Sequence, residues 1–395
     1  MTAPLLSVRN LSVQFTGQRS AQRPAQALSD LSFDLAPGEV LGLLGESGSG
    51  KSVTLRTLLR LHDARSSRVT GQITVAGQDV LSLKGRALQH YRSGVAAMVF
   101  QEPGLAFDPV YTIGQQIIEV LQAHEALSFD AARQRALQML ERVQIPQARR
   151  RFDAYPHELS GGMKQRAMIA LALACGPKLL LADEPTTALD ATVQIQILLL
   201  LRELQRETGM SVIFVTHDIG AAVEVADRVA VMYGGRIVEE VPIAQLVNAP
   251  RHPYSAGLLA ASVSGEQRGQ RLPTIAGAPP DLAAMPAGCA FAPRCERASS
   301  VCQTTQPPLL RTARQAQVSR QAPSVAAHLP SPRTALLQAL PMPLGMSGSS
   351  RLALHTDGGA VMRHLTLDAA LACWHPLLEL EPERGLEQPQ LAVAA

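Results

Sequence analysis

The stretch Gly45-Glu46-Ser47-Gly48-Ser49-Gly50-Lys51-Ser52 decides how the rest of the chain is read. It fits the pattern G-x-x-x-x-G-K-[ST] at every fixed position. Its context fits too, because the short apolar run over Glu39–Leu44 reads as a strand and the residues from Ser52 to Leu61 are helix-forming. Glycines let backbone N–H groups turn inward around phosphate oxygens, and the start of a helix adds a positive dipole end. Lys51 supplies a compact charge to the β- and γ-phosphates, and Ser52 offers a hydroxyl to Mg2+. With Val53, which continues the helix, these residues form a candidate nucleotide site. A Gly/Ser-rich surface turn is the bland alternative, and the placement between strand and helix weighs against it.

Further along, Leu179-Leu180-Leu181-Ala182-Asp183-Glu184 reads as an apolar strand ending in two carboxylates. A buried strand has no structural use for paired acids at its end, whereas a magnesium nucleotide has. Asp183 is expected in the Mg2+ shell, mostly through water, and Glu184 is expected to polarise the water that attacks the γ-phosphate. Acids also cap strand ends, so this pattern draws its weight from Gly45–Ser52 upstream. Leu159-Ser160-Gly161-Gly162-Met163-Lys164-Gln165-Arg166 sets Ser-Gly-Gly at a helix start, again with free N–H groups. Taken alone, it reads better as a capped helix after a turn.

Composition frames these motifs. The 395 residues are 46% hydrophobic and 17% charged, which describes a globular chain and excludes a disordered one. The 36 basic and 33 acidic residues leave a net charge of +3, too little to argue for nucleic acid as the main partner. Lys is used only four times, and Lys51 is one of them, which suits a site that needs a compact charge. Five Cys exclude a disulfide scaffold and fit a reducing compartment. Met1–Asn10 lacks the features of a secretory signal. The longest uncharged apolar stretches, Ala167–Pro177 and Ala191–Leu201, are too short to span a bilayer. The expectation is a soluble chain that reaches a membrane only through a partner.

Proline divides the sequence, with ten in residues 1–245 and seventeen in 246–395, so the second part reads as loop-rich. The first part alternates strands and helices, which predicts an α/β layered domain. Ala96–Phe100, Leu179–Ala182 and Ser211–Thr216 are apolar runs of strand length. Between Gln101 and Ser160 the spacing turns helical, as in Ile113–Ala123 and Ala131–Val143, and predicts an all-helical insert. Arg228–Met232 and Arg236–Glu240, joined through Gly234-Gly235, read as a hairpin. Ser331–Ser350, rich in Pro, Ser and Gly, reads as a mobile linker.

Gly45–Ser52, Gln101, Ser160-Gly161-Gly162, Asp183-Glu184, Ala188-Leu189-Asp190 and His217 follow the order and rough spacing of ATP-binding cassette (ABC) ATPases. The resemblance covers residues 5 to about 245. It implies a P-loop NTPase fold with an antiparallel β subdomain and a helical subdomain at about 102–169. It further implies that Gln101 senses Mg2+ and couples to membrane subunits, and that Ser160–Gly162 touch the γ-phosphate held by an opposite subunit. Asp190 would belong to the loop across that interface, His217 would contact the γ-phosphate, and Phe15 would stack on adenine. Each has a duller alternative: Phe15 as core, His217 as a satisfied loop residue, Gln101 as a surface amide. Glu184, His217, Lys51 and Gln101 are the expected catalytic set, with Ser52, Gln101 and Asp183 around Mg2+.

Met163 stands where the usual signature has Gln, and this variant resembles the D-type ATPase subunit of dipeptide and oligopeptide importers. Several later segments resemble the C-terminal extension of that group, placed at 246–330 ahead of a variable tail at 331–395. They are His252-Pro253-Tyr254, Leu272-Pro273-Thr274-Ile275, Gly277–Leu282, Gly288–Cys295 and Pro307-Pro308-Leu309. In this group the cysteines are associated with a [4Fe-4S] cluster, which needs four thiolates. Cys289, Cys295 and Cys302 provide three. Val325-Ala326-Ala327-His328-Leu329 carries Ala where a fourth is expected, and Cys373 could substitute; three reduced thiols without metal remain the alternative. Cys175 reads as a small core residue.

The resemblance implies a peripheral subunit on the cytoplasmic face of the inner membrane. Its implied partners are a second, F-type ATPase subunit, two permease subunits and, indirectly, a periplasmic solute-binding protein. A soluble non-transport cassette ATPase, an importer of nickel or another small solute, and a metal- or redox-sensing C-terminal part stay open as alternatives.

Overall fold

The computed structural model describes residues 3–16, 24–187, 189–262, 273–311 and 370–377. The expected linker at 331–350 and the Val325–Leu329 segment lie outside these residues. Two sheets organise the described chain. The smaller is antiparallel, in the order β2 (Ala25–Leu35), β1 (Leu6–Phe15), β4 (Ser67–Val75), β5 (Gln78–Asp79). Leu6 and Val8 of β1 point inward at the two-residue period of a half-buried strand, and after a register shift between Val8 and Leu11 the same period resumes with Leu11 and Val13.

The larger sheet has a parallel centre of β9 (Arg228–Tyr233), β3 (Val40–Leu44), β8 (Ser211–Thr216), β7 (Leu179–Asp183) and β6 (Ala96–Val99), in that order. Strands β3, β6, β7 and β8 are buried along their whole length, which explains why they read as unbroken apolar runs rather than alternating ones. Beyond β9 the sheet turns antiparallel. β10 (Arg236–Pro242) returns through Gly234-Gly235, and β12 (Ala370–Leu371) and β11 (Leu310–Arg311) continue the edge. The expected hairpin and the strand-length runs are all present.

One face of the large sheet packs against the antiparallel sheet through Leu41, Leu43, Leu181 and Ile213. The other carries the helical insert. Helix Ile113–His124 opens on a capping box in which the Thr112 hydroxyl receives the Gln115 N–H and the Gln115 side chain receives the Thr112 N–H. It packs with Phe129–Arg142 and Gly161–Leu173 around Ile117, Leu121, Leu140 and Ile169. The helix after Gly50 spans Lys51–Leu58, shorter than the run to Leu61, because Arg60 takes a left-handed conformation that helices do not continue through.

The residues after β10 share a core with the hairpin. Tyr233, Tyr254 and Phe291 meet edge-on or tilted, with ring centres 4.6 to 5.3 Å apart, among Leu246, Val241 and Ala290. His252 caps the helix Pro253–Ala261 by receiving the Tyr254 N–H at Nδ1, so its proton sits on Nε2, where no described residue accepts it. Burial pushes the His252 imidazole down to about 3. Unfolded His titrates near 6.5, so the unfolded chain binds an extra proton as pH falls below that value, and the stability present above 6.5 is lost on the way to 3. His252→Asn keeps the capping acceptor and is expected to flatten that part of the profile, by on the order of a few kcal/mol at its acid end. Urea midpoints from pH 7.5 to 4 read the effect.

Candidate nucleotide site

The site forms where four buried strands end. Gly45 follows β3, Phe100-Gln101 follow β6, Asp183 closes β7 with Glu184 behind it, and His217 follows β8. Register keeps these ends level: Leu44 lies opposite Thr216, Asp183 opposite Val215, and Val99 opposite Ala182. Ligands collect at the carboxyl ends of parallel strands for this reason.

The Gly45–Gly50 loop depends on two glycines. At Gly45, φ is +150°, and a Cβ would come within 2.3 Å of the Met232 carbonyl oxygen. At Gly50, φ is +102°, and a Cβ would meet Leu28 Cδ2 at 2.7 Å and the Ala27 carbonyl oxygen at 2.9 Å. The loop therefore lies against β2 and β9 at a distance only glycine permits. Gly50 is the N-cap of Lys51–Leu58 and caps it with no side chain, which leaves the helix's first N–H groups for an anion.

Lys51 is buried, and its Nζ donates to the Gly45 and Glu46 carbonyl oxygens at 2.7 and 3.0 Å. Burial lowers the affinity of this amine for its proton, and Glu184, Asp183 and Glu46 oppose the shift. The Ser52 hydroxyl donates to Asp183 Oδ1 at 2.8 Å. Asp183 is 2% exposed, and burial raises its carboxyl above the ordinary range while the Ser52 hydroxyl pulls it back. A buried carboxylate paired with a hydroxyl is the all-oxygen donor set that Mg2+ takes, so the residues present fit this ion.

Glu184 adopts φ +45°, a conformation that costs a residue with a Cβ energy and that gathers at functional positions. Its N–H donates to the Val215 carbonyl oxygen, which fixes the turn against β8. Its Oε2 receives the Thr187 hydroxyl at 3.0 Å, lies 3.2 Å from His217 Nδ1, and stands 3.5 Å from Gln101 Nε2. The structure thus brings Gln101, Glu184 and His217 around one oxygen. Thr187 is the member the sequence reasoning missed; its position three residues after Glu184, within a turn, was the available signal.

Ser160 and Asp190 lead two exposed helix starts. The Ser160 hydroxyl receives the Met163 N–H at 3.3 Å, and Asp190 Oδ1 receives the Val193 N–H at 3.0 Å. The two starts touch: a Cβ on Gly162 would come within 2.8 Å of Val193 Cγ1, and one on Gly161 would lie 3.7 Å from Leu189 Cδ2. Phe15 is half-buried and meets His62 edge-on, with ring centres 5.2 Å apart.

Glu46 is held differently from its neighbours. Its carboxylate is bound by Arg294 at 2.6 and 3.0 Å, and its N–H donates to the Tyr254 hydroxyl at 2.8 Å. Neither Arg294 nor Tyr254 carried a signal for this role in the sequence.

Cys289, Cys295, Cys302 and Cys373 are free thiols gathered in one region. Burial first, and then the Cys289, Cys295 and Cys302 thiols, push Cys373 up to about 11. Burial likewise raises Cys289 and Cys295. Four soft donors match the needs of an iron–sulfur cluster in kind and number. Their arrangement does not, since among the described residues no three His, Cys, Asp or Glu side chains stand where they could hold a metal ion. Cys175 lies half-buried against the insert core, apart from this group.

Comparison with known proteins agrees with this geometry. Residues 28–187 match the ABC transporter family, and residues 238–302 match the oligopeptide/dipeptide transporter C-terminal region. A putative peptide import ATP-binding protein of Brucella abortus is 52% identical over 306 residues, covering 78% of this chain and 91% of its own length. Another from Brucella melitensis is 46% identical over 318 residues, covering 78% and 93%. A solved dimeric ATP-binding cassette in a post-hydrolysis state with ADP and Pi is 29% identical, with a TM-score of 0.53, over 60% of this chain and 98% of its own. The chain belongs to the ABC transporter ATP-binding family, in the branch that carries the oligopeptide/dipeptide C-terminal region.

Gly50→Ala tests the loop. Forcing a Cβ into this left-handed position costs on the order of 1–3 kcal/mol. The expected result is roughly tenfold or greater loss of MgATP affinity by calorimetry, with the fold retained by circular dichroism.

Proposed function

We propose that this chain is the ATP-hydrolysing subunit of an importer for dipeptides and oligopeptides. The carrying observation is the meeting of Glu184, Gln101 and His217 around one carboxylate oxygen, beside the Ser52–Asp183 pair at the same sheet end. ATP sits with its phosphates on the Gly45–Gly50 N–H groups and Lys51, and Phe15 packs on the adenine. Ser52, Asp183 and Gln101 would hold Mg2+, which would neutralise phosphate charge. Glu184 orients and deprotonates the attacking water, and His217 steadies both that carboxylate and the γ-phosphate.

The exposed Ser160–Gly162 and Asp190 starts serve the ATP bound by a second subunit of the F type, whose own signature completes the pocket here. Their contact with each other and their exposure support this reading. Phe100 next to Gln101, and Leu105, Val110 and Tyr111 within ten residues of it, are exposed apolar side chains suited to one of two permease subunits at the cytoplasmic face of the inner membrane. No helix among the described residues is long and apolar enough to cross a membrane, so attachment runs through those subunits. The solute is delivered to the permease by a periplasmic binding protein. Peptides as the solute are supported by the matched C-terminal region and by the names of the relatives.

Glu184→Gln tests the assignment. It removes the proton acceptor and keeps the shape, so MgATP binding is expected to survive while turnover falls about 100-fold or more. Hydrolysis at the wild-type rate would remove Glu184 from its role. A [4Fe-4S] cluster on Cys289, Cys295, Cys302 and Cys373 is the finer reading of the extension, supported by the kind and number of the thiols and opposed by their placement, which would have to draw together on the metal. On that reading, anaerobically purified chain would carry iron and a visible absorption band that Cys373→Ser diminishes. Iron-free, colourless protein after anaerobic reconstitution sinks that reading and leaves the ATPase assignment intact.

A further inference from the structure

The first half of the phosphate-binding loop is gripped from 248 residues away. Arg294 ends the short turn Ala292–Arg294 next to Cys295, and its side chain is 4% exposed. All of its donors are used. Nη1 reaches Glu46 Oε2 at 2.6 Å and the Tyr233 hydroxyl at 3.2 Å; Nη2 reaches Glu46 Oε1 at 3.0 Å and the Ile275 carbonyl oxygen at 3.2 Å; Nε reaches the Ala276 carbonyl oxygen at 2.9 Å. The guanidinium also lies near the rings of Tyr233 and Phe291, 5.8 and 5.9 Å from their centres. This is the fork-to-fork geometry in which Arg and carboxylate bind most tightly and with least freedom.

Glu46 is thereby fixed at three points. Its carboxylate is held by Arg294, its N–H by the fully buried Tyr254, and its carbonyl oxygen by Lys51 Nζ. Two of the three come from the extension. The third is the amine expected to meet the β- and γ-phosphates, so the position of Glu46 bears directly on where that amine rests. A carboxylate in a loop built for a polyanion is also a liability unless a cation neutralises it, and Arg294 is that cation.

We infer that Arg294 and Tyr254 are positioning residues for ATP: the extension clamps Glu46, neutralises it, and so sets the affinity of the Gly45–Ser52 loop for the nucleotide. This rests on the nucleotide-binding reading of that loop. The extension is then a working part of the ATP site, and a change in the thiol-bearing turn beside Arg294 is transmitted to the phosphates through one side chain.

The test uses the full-length chain with its partner subunits and compares wild type with Arg294→Ala, Arg294→Lys, Tyr254→Phe and the double variant Arg294→Ala/Glu46→Gln. Arg294→Ala is expected to raise Kd and KM for MgATP about tenfold or more, since it leaves a carboxylate unpaired beside the phosphates, while kcat at saturation falls much less. Arg294→Lys restores charge without the fork and recovers only part of the affinity. Tyr254→Phe weakens binding roughly three- to tenfold. The double variant binds more tightly than Arg294→Ala alone, a rescue that a purely packing role would not produce. Wild-type Kd and KM in Arg294→Ala, or a double variant no tighter than the single, overturn the clamp. If Arg294→Ala fails to fold, Arg294→Lys and Tyr254→Phe decide, and wild-type values in both overturn it. Wild-type protein that takes up no MgATP overturns the nucleotide reading itself, an outcome distinct from normal uptake with indifferent variants.

Discussion

The level ending of four buried parallel strands is the constraint on which the site depends. Between β3, β8, β7 and β6 the backbone hydrogen bonds fix the register, and both faces are packed, so a one-residue slip would exchange side chains such as Leu180 and Leu181 between two differently shaped cores. Because the ends are locked, the residues that follow them are locked as well. Gly45, Gln101, Glu184 and His217 come from positions 45, 101, 184 and 217, and the chain between them is free to vary in length without moving them relative to one another. The apolar sheet supplies rigidity, and the polar groups just past its edge supply chemistry.

Much of this was legible from local pattern. The Gly45–Ser52 loop is a continuous segment whose φ values and close contacts are dictated by its own glycines, so its residue types declare its conformation. Strands β6, β7 and β8 were legible because full burial writes itself as an unbroken apolar run. The paired acids at 183 and 184 stood out because nothing in a buried strand calls for them. What escaped notice has a common cause. Thr187 bonds to Glu184 through a turn that any polar residue could decorate, and the Arg294–Glu46 pair joins segments that nothing in composition or periodicity relates. Periodicity reports which face of an element is buried; it carries no information about which distant side chain will fill a given hydrogen-bonding slot. The helix after the loop stops at Leu58 rather than Leu61 for a similar reason, since the left-handed Arg60 goes with a side chain that reaches the Val80 and Leu83 carbonyl oxygens, distant in sequence.

The two exposed helix starts show what one chain leaves open. Ser160 caps one helix and Asp190 the other, each using its side chain on a third-residue N–H, and the residues at both starts, Ser160-Gly161 and Asp190-Ala191, are exposed. Asp190 lies at the head of Ala191–Thr208, and Gln194 in its first turn donates to Asp218, the neighbour of His217. The exposed helix start at Asp190 is thus tied, within two side chains, to the loop whose His217 lies beside Glu184.

The charged side chains of the site are partnered before they serve any ligand. Ser52 is bound to Asp183, Lys51 to two loop carbonyls, and Glu184 to Thr187 with His217 and Gln101 beside it. Buried charge without such partners would cost several kcal/mol for each group, and burial alone already shifts Asp183 and Lys51 toward their neutral forms. A magnesium–phosphate ligand reverses both pressures at once, since the cation favours ionised Asp183 and the phosphates favour charged Lys51. The desolvation that opposes charge in the protein alone therefore becomes part of the selectivity: only a ligand bearing both signs, in that order along the sheet end, relieves the acid and the amine together. A bare anion or a bare cation relieves one and leaves the other strained.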